Sequence, residues 1–206
     1  MRQKQEEVEF YWKYVLPAAM RKIARLRAKG RKATAVWINE SIVILHFKLV
    51  RIWRFRRERV KFEYRFDRKQ RTVLLTAVDL DGVTHVDFAE KANSAAFMRL
   101  LSWLVEAHGD HVLVYVFLDR ASYHSFIGSP LGSIKLVWLP RYAPDCNFDE
   151  QFHRFMKREL GLHVLTQIED VKRVLAKYDG LRRPSLVRKA RKIFLTFSKK
   201  FSKRHS

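Results

Sequence analysis

Three carboxylates, Asp145, Asp149 and Glu150, gather within six positions in the segment KLVWLPRYAPDCNFDEQFHRFMKREL, residues 135–160. A fourth, Asp119, ends the apolar run Val112–Leu118. Carboxylates at a strand end and a helix start have two uses. They can cap the elements and favour the positive end of the helix, which is ordinary. They can also hold hard divalent cations, which take oxygen ligands. Two such ions about 4 Å apart can activate a water or a 3′-hydroxyl and stabilise the leaving oxygen of a phosphodiester. The rest of the chain gives the second use a partner. It carries 42 Lys and Arg against 21 Asp and Glu, a net charge of +21, which points to a polyanion. Nucleic acid is the first candidate and an anionic membrane surface the second.

The frame that must hold these residues is a folded domain. At 206 residues, 48% of them hydrophobic, the chain can build one sizeable core with extensions. Its lone cysteine, Cys146, excludes an intrachain disulfide and a cysteine-based zinc site, which fits a reducing compartment. Cys146 itself reads as a small core residue. The N-terminus MRQKQEEVEFYWKYV lacks the apolar stretch of a signal peptide, and Val112–Leu118 is too short to span a bilayer. The expectation is a soluble cytoplasmic protein with no membrane partner.

Residues 4–28 have helical spacing of Val8, Tyr11, Trp12, Val15 and Leu16, with a kink or split expected at Pro17 and a C-cap at Gly30. ATAVWINESIVILHF reads as two strands around a turn at Asn39, Glu40 and Ser41. RIWRFRRERVKFEYRF alternates apolar and basic residues, as a strand with one wet face does. RTVLLTAVDLDGVTHVDF is a hairpin turning at Asp81-Gly82, where Asp79 and Asp81 are turn formers. Ser94 is placed to cap a helix that buries Phe97, Leu100, Leu101, Leu104 and Val105. A buried central strand over 111–118 ends at Asp119, a short helix follows His124, and a second strand covers Ile134–Leu139. Helices are expected from Asn147, burying Phe148, Phe152, Phe155, Met156 and Leu160, and over Ile168–Tyr178. This order is a mixed α/β layer fold, and such folds collect ligands at the carboxyl ends of strands.

The segments VFLDRASYH, residues 116–124, and WLPRYAPDCNFDEQFHRFMK, residues 138–157, together resemble the catalytic core of DDE transposases of the mariner superfamily, in its prokaryotic insertion-sequence branch. Asp119, Ala121 and His124 match that family's first segment, Asp-Asn-Ala-x-x-His, with Arg120 in place of Asn. Leu139, Pro140, Tyr142, Pro144, Asn147 and Glu150 match its second, Leu-Pro-x-Tyr-x-Pro-x-Leu-Asn-Pro-x-Glu, with Cys146 for Leu and Phe148 for Pro. Lys157 matches a helix lysine, and His153 stands where an aromatic is usual. AVWINESIVIL resembles the family's first strand, and Trp53 its tryptophan in an arginine-rich neighbourhood. The resemblance covers about residues 5–175. It implies an RNase H-like mixed sheet flanked by helices, a two-metal site for Mg²⁺ or Mn²⁺, and cleavage and strand transfer of DNA at transposon ends.

One departure bears on the chemistry. The family's first acidic residue is Asn39 here, in the sequence NES. An amide offers a carbonyl oxygen to a metal but no charge, and Glu40 belongs to the opposite strand face. The resemblance thus places Asn39, Asp119 and Glu150 at the catalytic and metal-binding positions with two formal charges. An engineered change, natural decay and domestication as a DNA-binding protein without cleavage all produce this residue. Asp145 and Asp149 read first as helix-end carboxylates, Asp149 also as a helper for the metal. HGDH, residues 108–111, has crude metal-ligand spacing but reads as well as a loop.

DNA contact is expected from Arg51, Trp53, Arg54, Arg56, Arg57, Arg59 and Lys61, whose dense charge repels itself without an anion. The matched segments add His124, Arg141, Tyr142, Arg154 and Lys157. The chain divides into a helical lead-in, 1–32, an RNase H-like catalytic domain, 33–180, and a basic tail, 181–206. That tail has ten Lys and Arg and no acid; it is either a solubilising end or an arm that orders on DNA. Full-length relatives carry a helix-turn-helix region that reads the transposon ends, and no such pattern is visible here. The resemblance then implies a separate helix-turn-helix chain, a homodimer, and a nucleoid-associated location.

Overall fold

The computed structural model describes residues 2–45, 67–121, 132–163, 165–185 and 187–188. Five strands, β1 (Ala33–Leu45), β2 (Asp67–Asp79), β3 (Thr84–Ala89), β4 (Leu113–Leu118) and β5 (Ile134–Trp138), form one mixed sheet in the order β3-β2-β1-β4-β5. β1, β2 and β3 pair antiparallel, while β4 and β5 add to β1 in parallel. β4 is therefore not the central strand that the apolar run suggested; β1 holds the centre. β4 is nevertheless covered on both faces, which explains its unbroken apolar run.

The expected turn at Asn39–Ser41 is absent. β1 runs straight through it, because Asn39, Glu40 and Ser41 pair with Thr76, Leu75 and Leu74 of β2. Neither Gly nor Pro interrupts NES, and unbroken pairing with β2 from Val36 to Ile44 overrides its weak turn preference. The hairpin between β2 and β3 does turn at Asp81-Gly82: the Asp79 carboxylate accepts from the N–H groups of Asp81 and Val83, and Gly82 has φ +84°.

Two helices, α1 (Arg2–Phe10) and α2 (Leu16–Ala28), flank a π-helical turn over Tyr11–Val15. The expected split at Pro17 takes the form of this π-helical turn just before it, not of a break in the chain of helical turns. Proline lacks an N–H and crowds the preceding turn, so the chain widens just before it and Leu16 N–H bonds back to the Tyr11 carbonyl. α3 (Ser94–Ala107) is capped by Asn93, not Ser94: the Asn93 side chain accepts from Ala96 N–H. Phe97, Leu100, Leu101 and Leu104 are buried as expected, but Val105 lies at the edge of that stripe and is 42% exposed. α4 (Asp149–Leu160) and α5 (Ile168–Ala176) complete the set.

Strand alternation sends these helices to two faces. Val36, Ile38, Val114, Val116 and Leu118 pack under α3. Trp37, Phe117 and Leu113 face the other way, against Tyr11, Trp12, Leu16 and Ile23. Farther along that face, Val43 and Leu45 meet Phe152 and Met156 of α4 and Leu175 of α5. The N-terminal helices are thus part of the core. The basic segment with Arg51, Trp53, Arg54, Arg56, Arg57, Arg59 and Lys61, His124 with its expected helix, and the tail beyond residue 188 lie outside the described residues. No helix among the described residues is long and apolar enough to cross a membrane.

Candidate active site

Two parallel strands place the first two residues of the site. Trp37 of β1 pairs with Phe117 of β4, so two residues further along each strand Asn39 and Asp119 become neighbours on the same sheet face. Glu40, one residue on, points to the α3 side. Asp119 leaves β4 in a short turn in which its carboxylate accepts from Ala121 N–H at 3.1 Å. The third residue arrives from the segment after β5. There Leu139 and Pro140 are buried, and Tyr142 takes φ +54°, a left-handed conformation unusual for a side chain of its size. This bend leaves its ring 85% exposed.

A 3₁₀ turn over Pro144–Cys146 then leads into α4. Asn147 is buried and clamps this junction: its amide donates to the Ile38 carbonyl at 2.9 Å, and its oxygen accepts from Asp149 N–H at 3.0 Å. One side chain thus ties the start of α4 to the strand that carries Asn39. Cys146 is fully buried, and burial pushes its thiol up to about 12, as suits a core residue.

Asn39, Asp119 and Glu150 consequently line one cavity of about 490 Å³, together with Arg120, Arg141, Tyr142 and Asn147. Two of the expected DNA contacts, Arg141 and Tyr142, stand on its wall. Arg154 and Lys157 are exposed farther along α4, outside it. The donor set is all oxygen: two carboxylates and one amide, which suits a hard divalent cation. One lone pair of the Asn39 amide oxygen is engaged by Glu40 N–H at 3.0 Å, leaving a second for a ligand. Among the described residues no three His, Cys, Asp or Glu side chains converge on a metal-sized site. HGDH is accordingly a loop: Asp110 bonds Lys32 and His111, and the rings of His108 and His111 pack edge to face.

Asp149 has no part in the cavity. It is fully buried on the other side of the helix, where Thr76 donates to its carboxylate. The Thr76 hydroxyl also lies 2.6 Å from His153 Nε2, and His153 Nδ1 lies 3.1 Å from Ser41 Oγ. The Thr76 hydroxyl donates to Asp149, and the tautomer of His153 that carries its proton on Nε2 would donate to Thr76 and accept from Ser41 at Nδ1. Burial holds the Asp149 carboxyl well above the carboxylate range and depresses His153 to about 3. The residue that stands for an aromatic in the motif is therefore one end of a buried polar network. Sequence reading overlooked this network, and one signal was available. Asp149 and His153 stand four apart on the α4 stripe of Phe152 and Met156, two polar residues on an apolar face.

Comparison with known proteins agrees with this geometry. Residues 34–172 match the profile of a family described as DDE superfamily endonuclease. The fold matches that of the isolated catalytic domain of Mos1 mariner transposase at 15% identity and TM-score 0.60, covering 96% of this chain and 93% of that one. It also matches a Mos1 transposase paired-end complex with left transposon end, at 17% identity and TM-score 0.65. A Mos1 mariner paired-end complex with Mn gives 16% and 0.67. This chain is covered to 98% in both complexes but spans only 62% and 63% of those chains. The architecture is thus the RNase H-like transposase fold. No curated protein sequence matches the chain.

Proposed function

The chain belongs to the DDE superfamily of endonucleases, and from that premise we propose that it is the catalytic part of a transposase, cleaving and joining DNA strands at transposon ends. The observation that carries this reading is the meeting of Asn39, Asp119 and Glu150 in one cavity, from three separate stretches of chain. The Mos1 structures, which hold a transposon end in one case and Mn in another, support the choice of substrate and metal.

Asp119 and Glu150 would hold Mg²⁺ or Mn²⁺, with the Asn39 amide oxygen beside them. A divalent ion bound there lowers the pKa of an attacking water or hydroxyl and polarises the phosphate. The chain's own groups do the rest. Arg120 and Arg141 on the cavity wall attract the phosphates flanking the scissile bond, and Tyr142 offers an exposed ring to a base or sugar. Asn147 keeps Glu150 in register with β1. We place the catalytic unit in residues 33–180, working as a homodimer in the cytoplasm on nucleoid DNA, with a separate helix-turn-helix chain reading the transposon ends.

Asn39 favours a second reading, a transposase-derived protein that binds DNA without cutting it. The two part on one substitution. Asn39→Asp adds an anionic ligand with little change of shape, so a chain that is one residue short of activity should nick or join a labelled duplex bearing the element's ends in Mg²⁺ or Mn²⁺. The unaltered chain should show little such activity. Silence from Asn39→Asp, with the fold intact, would favour the binding protein.

A further inference from the structure

The cavity leaves unexplained the most one-sided charge among the described residues. Residues 16–32, LPAAMRKIARLRAKGRK, hold seven Lys and Arg and no acid. On α2 the apolar stripe of Leu16, Ala19 and Ile23 is buried against the sheet, and Arg21, Lys22 and Arg25 are exposed. Lys29 and Arg31 continue the exposed basic run through the turn before β1. Arg27 and Lys32 pair with Asp81 and Asp110. The other five cations have no carboxylate partner among the described residues. Like charges four apart on a helix, as at Arg21 and Arg25, are destabilising. The helix dipole favours cations only in the last turn, so it does not account for Arg21 and Lys22.

The position of α2 gives this charge a direction. Just before it, Tyr11 donates to the carbonyl of Cys146 and Trp12 packs 6.3 Å from Phe148, next to the cavity. At its other end Arg27 reaches Asp81 in the hairpin between β2 and β3. Arg182, the root of the basic tail, donates to the Asp81 carbonyl at 3.3 Å and forms an isolated antiparallel bridge with Val83. Thirteen residues of helix at 1.5 Å each make a ridge of about 20 Å from the cavity's neighbourhood to the tail.

We propose that the exposed face of α2 is a second DNA-backbone surface, which carries duplex away from the cavity toward the C-terminal tail. The unpaired cations Arg21, Lys22 and Arg25, on a helix that exposes no large hydrophobic side chain, fit a phosphate strand better than a membrane, which asks for an apolar face beside the charge. The inference extends the reading of the chain as a DNA-processing protein but does not need cleavage.

The test is binding of a labelled duplex of arbitrary sequence in EDTA, across a salt series, so that metal and the cavity carboxylates do not enter. Arg21→Gln/Lys22→Gln/Arg25→Gln should make the slope of log affinity against log salt shallower by about 2 to 3, since each lost phosphate contact removes about 0.9. Lys91→Gln/Arg158→Gln/Lys177→Gln removes the same charge from exposed sites elsewhere and should change the slope by less than about one contact. Glutamine keeps helix propensity, and thermal melts check the fold. Lys29→Gln/Arg31→Gln, in the turn after the helix, repeats the test without touching α2. Equal slopes for the α2 and control triples would overturn the proposal. So would loss of binding to phosphatidylserine vesicles with DNA binding retained. Failure of Asn39→Asp to cleave would leave this result standing, because the two assays share no step.

Discussion

Asp149 and Glu150 are adjacent in sequence and open the same helix, yet they occupy opposite environments. Glu150 faces a cavity beside Asp119 and two arginines. Asp149 is fully buried and bonded to Thr76, and burial holds its carboxyl well above the usual carboxylate range. A helical step of about 100° separates a carboxylate that lines the cavity from one that locks the helix onto the sheet. The comparison teaches that a cluster of acids is not one site. Burial, which raises the carboxyl of Asp149, separates the structural group from the one that lines the cavity.

The largest effect should come from the cavity side. In an Asn39→Asp chain that cleaves DNA, Asp119→Ala should reduce nicking to background in a gel assay while the melting temperature barely moves. Cleavage that survived would place the chemistry elsewhere. On the buried side, Thr76→Val keeps shape but strips the hub of its hydroxyl. It takes the hydroxyl partner from the Asp149 carboxyl and from His153 Nε2, while His153 Nδ1 keeps Ser41, so urea unfolding should show a loss of about 3 kcal/mol, and Thr76→Ser should restore most of it.

Glu150→Gln sharpens the contrast between the two acids. Mn²⁺ affinity, read by the paramagnetic resonance of the free ion, should fall at least about tenfold, or 1.4 kcal/mol. Two unit charges 4 Å apart exchange about 4 kcal/mol at an effective dielectric of 20, so this is a conservative fraction. Stability should stay within about 0.5 kcal/mol. A matching loss of stability would mean that Glu150 is structural as well.

The smallest effect is a pH dependence of stability. Asp149, raised in the fold, favours folding below its unfolded value of 3.8, and that contribution is lost as pH rises. His153, depressed to about 3, favours folding above its unfolded 6.5, and that contribution is lost as pH falls. Between 3.8 and 6.5 the two cancel, because folded and unfolded chains each hold one proton on the pair. Above 6.5 only the Asp149 demand remains, so stability relative to Asp149→Asn/His153→Gln should decline by up to about 1.4 kcal/mol per pH unit. A difference that stayed level to pH 8.5 would show Asp149 to be ionised in the fold.

Much of the site was legible because its signals are local. Asp119 after an apolar run, and Leu139, Pro140, Tyr142, Pro144, Asn147 and Glu150 at fixed spacing, are features of single segments. The hairpin at Asp81-Gly82 was readable for the same reason, since its turn is closed by the neighbouring Asp79 side chain. The straight passage of β1 through NES was not, because what decides it is β2, more than thirty residues away along the chain. Nor was the cap at Asn93, where two adjacent polar residues compete and the backbone angle of one settles the matter.

By itself the sequence determined the strong positive charge, the alternation of layers, and the two carboxylates at element ends, all properties of composition and short-range periodicity. Only the tertiary structure decided which side of α4 faces the cavity, and so which of two neighbouring acids is buried. It also joined His153, Thr76 and Ser41, three residues with no local relation, into one buried network beside the strand of Asn39. The physical reason is common to both. Burial and hydrogen-bond partners belong to the packing of distant segments, and a carboxyl or imidazole takes its charge state from that packing rather than from its neighbours in the chain.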